Sequence, residues 1–528
     1  MYDVIIENGT IVDGSGNPWF YGDIGVKAGK ISRIGCLREH RAVERIDGRG
    51  LMVCPGFIDI HCHSDGLIFR DPPEQGKVLQ GVTTETIGNC GISLAPTSHE
   101  TLELLKKYTA AFCAGVPLAW NWHTVGDYLR QVEAVGSITN AAALVGHGTI
   151  RIAVMGFDDR KPTGEEMVNM KRLVAEALAD GAFGMSSGLI YPPGLFSTTD
   201  ELVELCKVVA AEGGIYTTHM RGETDMVLDS VKEALEIGRK SGVSVEISHH
   251  KTAGRDNWGK SRQTLELVEA ARRDGIDVTC DVYPYTAANT MLGALLPPWM
   301  HEGGTQVLLT RLKEPENRRR IKRELITSLP GWENYAKASG WENIYIASSR
   351  KATTYEGKSI QEIADAKHID PAEAMFDLMI ETEGDVLMTF FMMCEDDVSY
   401  IMRHPAVMVA SDAIPSTGKP HPRYFGTFPR VLGKYVRKDN VLPLEEGIRK
   451  MTSMPAQKLG LRNRGLLKEG MWADITVFDP RQIEDKATYQ DPQQYAVGIK
   501  YVLVNGKFAV REGKYTGAKS GQVLRREE

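Results

Sequence analysis

Three strands are predicted by IYTTH (Ile215–His219), VSVEI (Val243–Ile247) and DVTCDVY (Asp277–Tyr283), which are short and rich in β-branched residues. Between them, residues 225–239 and 264–273 carry apolar side chains three and four positions apart, which predicts amphipathic helices. Each strand and its helix take about 30 residues, the length of a βαβ unit. This part of the chain therefore predicts parallel strands joined by helices.

The same alternation continues on both sides of these units. Five more strands are predicted, at residues 56–60, 83–87, 141–145, 182–185 and 407–410. A capping-box pattern, Thr163 followed by Glu166, marks the start of a helix before the fourth strand. Eight β/α units predict an α/β fold of the (β/α)8 TIM-barrel type, and a doubly wound open sheet is the alternative.

Both ends of the chain are rich in strands, unlike the alternating middle. Asn8-Gly9 and Asn505-Gly506 each lie between apolar runs, a pattern typical of a β-hairpin turn. Short hairpins are marginally stable alone, so we expect the two ends to form one small β-sandwich. The predicted domains are a sandwich with an N-terminal part, 1–55, and a C-terminal part, 462–528, around a catalytic TIM barrel, 56–461.

One interval is too long for the barrel pattern. Residues 284–406 separate the seventh and eighth predicted strands, whereas βα connections are usually only a few residues long. We expect this insertion, between strands 7 and 8, to form a subdomain that acts as a lid.

Composition excludes several classes of protein. Of the 528 residues, 42% are hydrophobic and 25% are charged, which is ordinary for a globular chain, and the net charge of −7 comes with no basic stripe that would indicate a nucleic-acid partner. No uncharged apolar run reaches the roughly 18 residues of a membrane span, and no signal peptide is visible at the start. Eight cysteines are too few for a disulfide scaffold, so we expect a cytoplasmic enzyme of unknown oligomeric state.

Metal-binding residue types follow the predicted strands. His61 and His63 end the first strand and share a face, because side chains alternate along a strand and Cys62 points the other way. TIM-barrel active sites lie at the C-terminal ends of the strands. Further strand ends in this chain carry thiol, imidazole and carboxylate groups, the usual zinc ligands: Cys90, His219, His249, His250 and Asp412.

Two adjacent histidines compete for one ligand position. Strand alternation groups His249 with Lys251 and places His250 on the opposite face with Ser248. We therefore predict His249 as the ligand and His250 as a packing or supporting residue.

The chain also resembles a known family. Pro55–His63 and Gly465–Ile475 are similar to the first-strand signature and the C-terminal return of the amidohydrolase superfamily. Within it, nearly the whole chain resembles the D-aminoacylases, or N-acyl-D-amino-acid deacylases. Five motifs carry that resemblance: GNCGIS (88–93), GHGTIR (146–151), THMR (218–221), SHHK (248–251) and HPRY with GTFPR (421–430).

This resemblance implies roles for individual residues. A tightly held Zn²⁺ would be bound by Cys90, His219 and His249, and a second, weaker site would use His61 and His63 with Cys90 as a bridge. Asp412 would be the catalytic acid/base. Substrate binding would fall to Tyr191, Lys251, Tyr283, Asn289 and Arg423. Asn289 stands where the family is expected to carry a small hydroxyl residue, so it is a candidate for side-chain selectivity.

The implied function is hydrolysis of a small-molecule substrate, an N-acyl-D-amino acid, to a carboxylate and a free D-amino acid. Cyclic amidohydrolases such as hydantoinases and dihydroorotases are the first alternative. They generally bridge two metals with a modified lysine near the end of strand four, whereas Met185–Tyr191 contains no lysine. A non-catalytic scaffold on the same fold is the second alternative, although every expected ligand is present.

Overall fold

A computed structural model describes residues 1–526. In that range the strands are β1 Tyr2–Ile11, β2 Phe20–Lys27, β3 Lys30–Gly35, β4 Ala42–Asp47, β5 Met52–Pro55, β6 Phe57–Asp59, β7 Val82–Ile87, β8 Asn140–Ala143, β9 Val145–Gly146, β10 Gly184–Gly188, β11 Ile215–His219, β12 Ser244–Ile247, β13 Val278–Val282, β14 Ala287–Met291, β15 Ile344–Ser348, β16 Leu387–Phe391, β17 Val407–Val409, β18 Ile475–Phe478, β19 Ile499–Val504, β20 Lys507–Arg511 and β21 Lys514–Tyr515.

The α-helices are α1 Leu102–Thr109, α2 Val125–Val135, α3 His147–Met155, α4 Gly164–Ala179, α5 Thr199–Ala211, α6 Val227–Ser241, α7 Ser261–Arg273, α8 Thr305–Leu312, α9 Pro315–Thr327, α10 Tyr335–Ser339, α11 Ile360–Lys367, α12 Pro371–Glu381, α13 Glu395–Arg403, α14 Arg423–Arg430, α15 Leu444–Met451 and α16 Ser453–Lys458. A π-helical segment, Val431–Lys438, continues α14. No helix within residues 1–526 is long and apolar enough to cross a membrane.

Parallel strands close into the predicted TIM barrel. One group runs β6-β7-β8 and the other runs β9-β10-β11-β12-β13-β17. Leu144 separates β8 from β9, so the third barrel position is a strand that changes partner part-way. At the opposite seam a parallel bridge joins Cys62 to Ala413, and the Asp412 N–H donates to the His61 carbonyl at 2.8 Å. The barrel fold is confirmed, and the open sheet is excluded.

Helices cover the barrel with the apolar faces that their spacing predicts. α4 begins with the predicted capping box, in which Thr163 and Glu166 bond each other's backbone N–H groups. α6 buries Val227, Val231 and Leu235, at intervals of four residues, against the sheet. All five residues of β11 are buried, because one face of the strand meets these helices and the other faces the barrel interior.

The two chain ends share one sheet, ordered β21-β20-β19-β18-β5-β1-β2-β3, with β4 added beside β1. Asn505-Gly506 forms the expected hairpin turn between β19 and β20. The turn predicted at Asn8-Gly9 is wrong: β1 continues through it and absorbs the left-handed φ of 59° at Asn8 in a register shift between Ile6 and Gly9. The residue limits of the predicted domains stay a prediction.

The last described residues leave that sheet. Val523 pairs with Ala141 of β8, and the Leu524 N–H donates to the Ala141 carbonyl at 2.8 Å. The last described residues therefore pack against the barrel at β8.

The insertion between β13 and β17 is an ordered subdomain. Its strands form an antiparallel sheet, β14-β16-β15, and α8 to α12 pack around that sheet. Its core is continuous with side chains at the barrel mouth, including Cys90, Tyr191 and Tyr283. The insertion thus forms a wall of the region where the strand ends converge.

Candidate active site

The residues predicted from strand ends converge at the C-terminal mouth of the barrel. His219 is the last residue of β11, and the others follow β6, β7, β12 and β17 within a few residues. All are almost completely enclosed by protein: His61, His63, Cys90, His219, His249 and Asp412. The barrel therefore brings together side chains that are far apart in the sequence, from His61 to Asp412.

Cys90 lies at the centre of this group. Its Sγ is 3.3 Å from His61 Nε2, 3.6 Å from His249 Nε2 and 3.9 Å from His219 Nδ1. Burial raises the pKa of the Cys90 thiol, although the neighbouring His61 opposes that effect. One sulfur therefore faces three imidazoles, an arrangement that suits a thiolate bound to a metal ion.

Glycines let the Cys90 loop approach β10 closely. Cys90 itself has a left-handed φ of 53° and is flanked by Gly88 and Gly91, which also have positive φ. The Gly91 N–H donates to Ser186 Oγ at 2.9 Å. A Cβ on Gly188 at the end of β10 would lie 2.1 Å from the Cys90 carbonyl oxygen, so a side chain there would push the thiol away.

Backbone geometry separates His249 from His250. His249 lies beyond the end of β12 with a left-handed φ of 36°, and its N–H donates to Asp281 Oδ1 at 2.8 Å. This turn aims the His249 imidazole at Cys90. His250 points away from the mouth, and its Nε2 lies 2.8 Å from Thr264 Oγ1 on α7.

Asp412 adds a carboxylate to the cluster. Its Oδ1 is 3.4 Å from Nε2 of both His61 and His63, and its Oδ2 is 2.7 Å from Arg423 Nη1. Burial favours the neutral acid, but Arg423 and the imidazoles outweigh it and hold the pKa of Asp412 well below its usual range. Asp412 is therefore ionised at neutral pH. Its φ of 48° is left-handed, as at Cys90 and His249, and such strain is typical of functional sites.

The donor atoms fit a zinc ion. His61, Cys90, His249 and Asp412 each offer one atom within 4.8 Å of the others, and His219, Glu223 and His249 form an overlapping group. Within residues 1–526, His61 Nδ1 and His219 Nε2 are buried and have no hydrogen-bond partner, although His61 Nδ1 lies 3.4 Å from Asp281 Oδ2. Sulfur, nitrogen and oxygen donors in this combination are the normal zinc set. His63 belongs to neither group, although its Nε2 is 3.4 Å from Asp412.

Two of the predicted substrate-binding residues, Arg423 and Lys251, form a cationic patch around a third, Tyr283, beside Asp412. The Arg423 guanidinium stacks 4.7 Å from the Tyr283 ring centroid, and Lys251 Nζ lies 5.5 Å from it. Arg423 is fully buried, and its Nε has no hydrogen-bond partner among the described residues. Buried cations with spare donors are suited to a carboxylate.

The other two predicted binding residues touch the insertion. Tyr191 OH and Thr290 Oγ1 of β14 are 2.7 Å apart, and the Tyr191 ring centroid is 5.1 Å from that of His219. Asn289 Nδ2 donates to the Met388 carbonyl at 2.8 Å, so this amide is engaged with β16. The backbone carbonyl oxygen of Asn289 accepts a hydrogen bond from Arg423 Nη2 at 3.3 Å. β14 therefore positions both Tyr191 and Arg423.

Two acidic residues in the site were missed from the sequence. Asp281 lies in β13 two positions before Tyr283, on the same face, and that parity was a usable signal. Glu223 lies in the loop after β11, where no periodicity applies; its Oε1 is 3.0 Å from His249 Nδ1 and 2.6 Å from Lys251 Nζ. His147, from the GHGTIR motif, is fully buried and its Nε2 lies 2.8 Å from Glu201 Oε1.

A cavity of about 260 Å³ opens between Tyr191 and the insertion. Its lining is mostly apolar or aromatic, with charged groups toward the insertion. The lining includes Tyr191, Met291, His301, Arg350, Met379 and Asp385.

A family model for the amidohydrolase family matches residues 44–510. The chain belongs to this family. This amidohydrolase is 39% identical to D-aminoacylase from Alcaligenes xylosoxydans xylosoxydans, over 99% of the chain and 98% of the relative. It is 38% identical to N-acyl-D-aspartate deacylase from the same organism, over 99% of the chain and 95% of the relative.

A solved structure is similar over the full length. The crystal structure of N-acyl-D-glutamate deacylase from Bordetella bronchiseptica, complexed with zinc and a phosphonate that mimics the tetrahedral intermediate, superposes on this amidohydrolase with a TM-score of 0.83. The two are 35% identical, and the match covers 99% of this chain and 100% of the other.

Proposed function

We propose that this amidohydrolase is an N-acyl-D-amino-acid deacylase that uses zinc to hydrolyse the amide bond, releasing a carboxylate and a free D-amino acid. The observation that carries the proposal is the Cys90-centred cluster, with Asp412 on one side and the Arg423–Lys251 patch beside it. The full-length relatives act on N-acyl-D-amino acids by name, which supports the D configuration. Eight free thiols fit a reducing cytoplasm as the place of action.

Cys90, His219 and His249 would hold the tight zinc ion, and His61 and His63 would share Cys90 at a second, weaker position. The central place of the Cys90 thiol supports that sharing. Zinc bound there would supply a Lewis acid that lowers the pKa of water and polarises the amide carbonyl.

Asp412 would act as the general acid/base. Because Arg423 and the imidazoles keep its pKa low, the carboxylate is available to accept a proton from the attacking water. Asp412 would then deliver that proton to the nitrogen of the leaving D-amino acid. Water supplies the hydroxyl that completes the carboxylic acid and the proton that Asp412 passes to the leaving nitrogen. The acid then loses its proton to the amine, which leaves a carboxylate and an ammonium group.

Arg423, Lys251 and Tyr283 would hold the α-carboxylate of the substrate. The unpartnered Nε of Arg423 supplies a buried donor, and Lys251 provides a second cation nearby. Tyr191 and Asn289 would border the side chain or acyl group, because both lie on the wall formed with β14.

Two alternatives are less well supported. A lysine-bridged cyclic amidohydrolase would need a lysine near the end of the fourth strand, but β10 reads Gly184–Gly188 with serines at its end. A non-catalytic scaffold would not need an ionised Asp412 within 3.4 Å of two imidazoles.

A panel of N-acetyl-D- and N-acetyl-L-amino acids, assayed with added zinc, tests the proposal. We expect hydrolysis of D substrates that is abolished by a chelator and restored by zinc. The cyclic substrates dihydroorotate and hydantoin are the matched comparison. Turnover of those compounds without deacylation would reject the proposed function, and so would zinc binding with no turnover of any substrate.

A further inference from the structure

Glu223 connects one imidazole of the zinc cluster to the proposed carboxylate-binding lysine. It is buried, and its Oε1 is 2.6 Å from Lys251 Nζ and 3.0 Å from His249 Nδ1. His249 turns its other nitrogen, Nε2, toward Cys90. Glu223 therefore contacts the back of a cluster residue and the neighbouring cation at the same time.

A zinc-bound His249 needs a hydrogen-bond acceptor at its outer nitrogen. When His249 uses Nε2 as a ligand, its proton is on Nδ1, which must donate. Lys251 Nζ lies 2.7 Å from Nδ1 and can donate to it only when Nδ1 carries no proton. With the proton on Nδ1 the ammonium, which has no lone pair, cannot accept it, and Glu223 Oε1 at 3.0 Å is a carboxylate acceptor within reach. Among the residues the structure describes, Glu223 is the carboxylate that pairs with Lys251, and an unpaired buried ammonium would be costly.

The insertion holds the loop that carries Glu223. Glu333, from the segment before α10, accepts from the Thr224 N–H at 3.1 Å and from Thr224 Oγ1 at 2.9 Å. A Cβ on Gly222 would lie 2.7 Å from Glu333 Oε1, so the contact is close on both sides of Glu223. On the barrel side, the Ala253 N–H donates to the Glu223 carbonyl at 2.8 Å.

We infer that Glu223 is a positioning residue for the zinc site: it orients His249 through Nδ1, fixes Lys251, and is itself held by Glu333 of the insertion. The insertion would then support the metal centre directly, in addition to forming a cavity wall. This inference rests on the proposed zinc-binding role of His249 but does not depend on the identity of the substrate.

The test measures zinc affinity by competition with a chromophoric chelator, so it needs no substrate. We expect Glu223→Gln to weaken zinc binding about 10- to 100-fold, the usual effect of losing the outer partner of a histidine ligand. Thr224→Val, which removes one hydrogen bond to Glu333, should weaken it by a smaller factor. Steady-state kinetics should show a raised KM as well as a lowered kcat, because Lys251 is released along with His249.

Glu201→Gln is the matched control. Glu201 is also a buried carboxylate between an imidazole and a cation, 2.8 Å from His147 Nε2 and 2.6 Å from Arg151 Nη1, but it does not contact the Cys90 cluster. We expect it to change stability and leave zinc affinity within twofold of the parent.

Glu223→Asp keeps the negative charge on a shorter side chain. If both variants fold, a zinc affinity that is partly recovered relative to Glu223→Gln supports the inference. If the glutamine variant does not fold, a zinc affinity of Glu223→Asp below that of the parent supports it. Parental zinc affinity in a folded Glu223→Gln variant would overturn the inference. If the glutamine variant does not fold, parental affinity in Glu223→Asp would overturn it. Loss of a whole equivalent of zinc would also overturn it, because Glu223 would then be a ligand. A parent that binds zinc but hydrolyses no N-acyl-D-amino acid rejects the proposed function alone.

Discussion

At the scale of single residues, Cys90 is the group on which the proposed zinc site depends most. Its sulfur is within 3.9 Å of three imidazoles, so its removal leaves no donor common to both proposed positions. We expect Cys90→Ala to lose zinc and activity together, measured by metal analysis after dialysis and by deacylation rate. Cys206→Ala, also fully buried but on α5 away from the cluster, should retain both. Full zinc content and turnover in Cys90→Ala would show that the ligand assignment is wrong.

Asp412 is expected to act on protons and not to hold the tight zinc ion. Asp412→Asn keeps the shape of the side chain but cannot accept the proton of the attacking water. We expect kcat to fall at least about 100-fold, the typical contribution of a general acid/base, while zinc content stays at the parental level. A near-normal kcat in Asp412→Asn would show that Asp412 is not the general acid/base. Loss of zinc from that variant would show that Asp412 is a metal ligand.

The sequence was most informative where strand geometry applies. The C-terminal ends of parallel barrel strands converge at one mouth. The sequence alone therefore predicts that these strand-end residues lie close together: His61, Cys90, His219 and Asp412. Strand alternation favoured His249, which does face Cys90. The feature that turns its side chain there is the left-handed backbone at His249, which could not be predicted from the residue type. Glu223 was not predictable because it reaches the site from an irregular loop.

At the scale of elements, the segment bearing Glu333 should respond to pH. Burial outweighs the hydrogen bonds from Thr224 and raises the pKa of Glu333 from its ordinary value of 4.5 to about 7. Between these values the folded protein holds a proton that the unfolded chain releases, so this group's contribution to stability falls as pH rises from 4.5 through 7. Glutamine resembles the neutral acid, and Glu333→Gln should lose less Tm between pH 5 and pH 8 than the parent does. Parallel Tm curves, measured with saturating zinc, would contradict this shift.

The insertion should behave as a lid only where it lines the cavity. β14 is tied to the barrel through Tyr191 and Arg423, so large displacement of that strand would break the site itself. We therefore expect ligand-dependent protection from hydrogen exchange at residues 291–306 and 379–385, and little change in α9 on the outer surface. Unchanged exchange in both cavity segments with saturating ligand would count against a lid.

Periodicity identified the barrel elements but not the exceptions to them. The strand predicted at 141–145 is interrupted at Leu144, where hydrogen bonding passes from β7 to β10, and the predicted strand 182–185 is shifted to Gly184–Gly188. Both differences reflect barrel closure, which is set by neighbouring strands and not by local sequence. The antiparallel sheet inside the insertion was likewise hidden, because β14 and β16 are almost 100 residues apart.

At the scale of the whole molecule, overall similarity does not determine the preferred substrate. Relatives named D-aminoacylase, N-acyl-D-aspartate deacylase and N-acyl-D-glutamate deacylase are 39%, 38% and 35% identical to this chain over nearly its full length. The difference must therefore come from local chemistry. It is most directly expressed in the 260 Å³ cavity, because barrel loops and the insertion meet there.

The charge of that cavity favours neutral, apolar D-amino acids over acidic ones. Arg350 is bonded to Asp385 through Nε at 2.6 Å, and Lys351 pairs with Glu383 at 2.6 Å. Burial lowers the pKa of His301 to about 4, so this imidazole is neutral at pH 7. Lys107, the remaining cation, is exposed and hydrated. A second substrate carboxylate would meet no free buried cation, and burying it unpaired is costly.

We expect kcat/KM for N-acetyl-D-methionine and N-acetyl-D-leucine to exceed that for N-acetyl-D-glutamate by at least about tenfold, with only modest differences between the apolar substrates. Asp385→Asn removes the carboxylate that pairs with Arg350 and should raise the relative rate on the glutamate derivative. Glu383→Gln is the matched control: the two cations are similarly exposed, but the Glu383 side chain is 65% exposed and that of Asp385 only 20%, so the Lys351–Glu383 pair is more strongly screened by solvent and should matter less. A parental preference for N-acetyl-D-glutamate would contradict the argument, because Arg350 would then have to exchange Asp385 for the substrate.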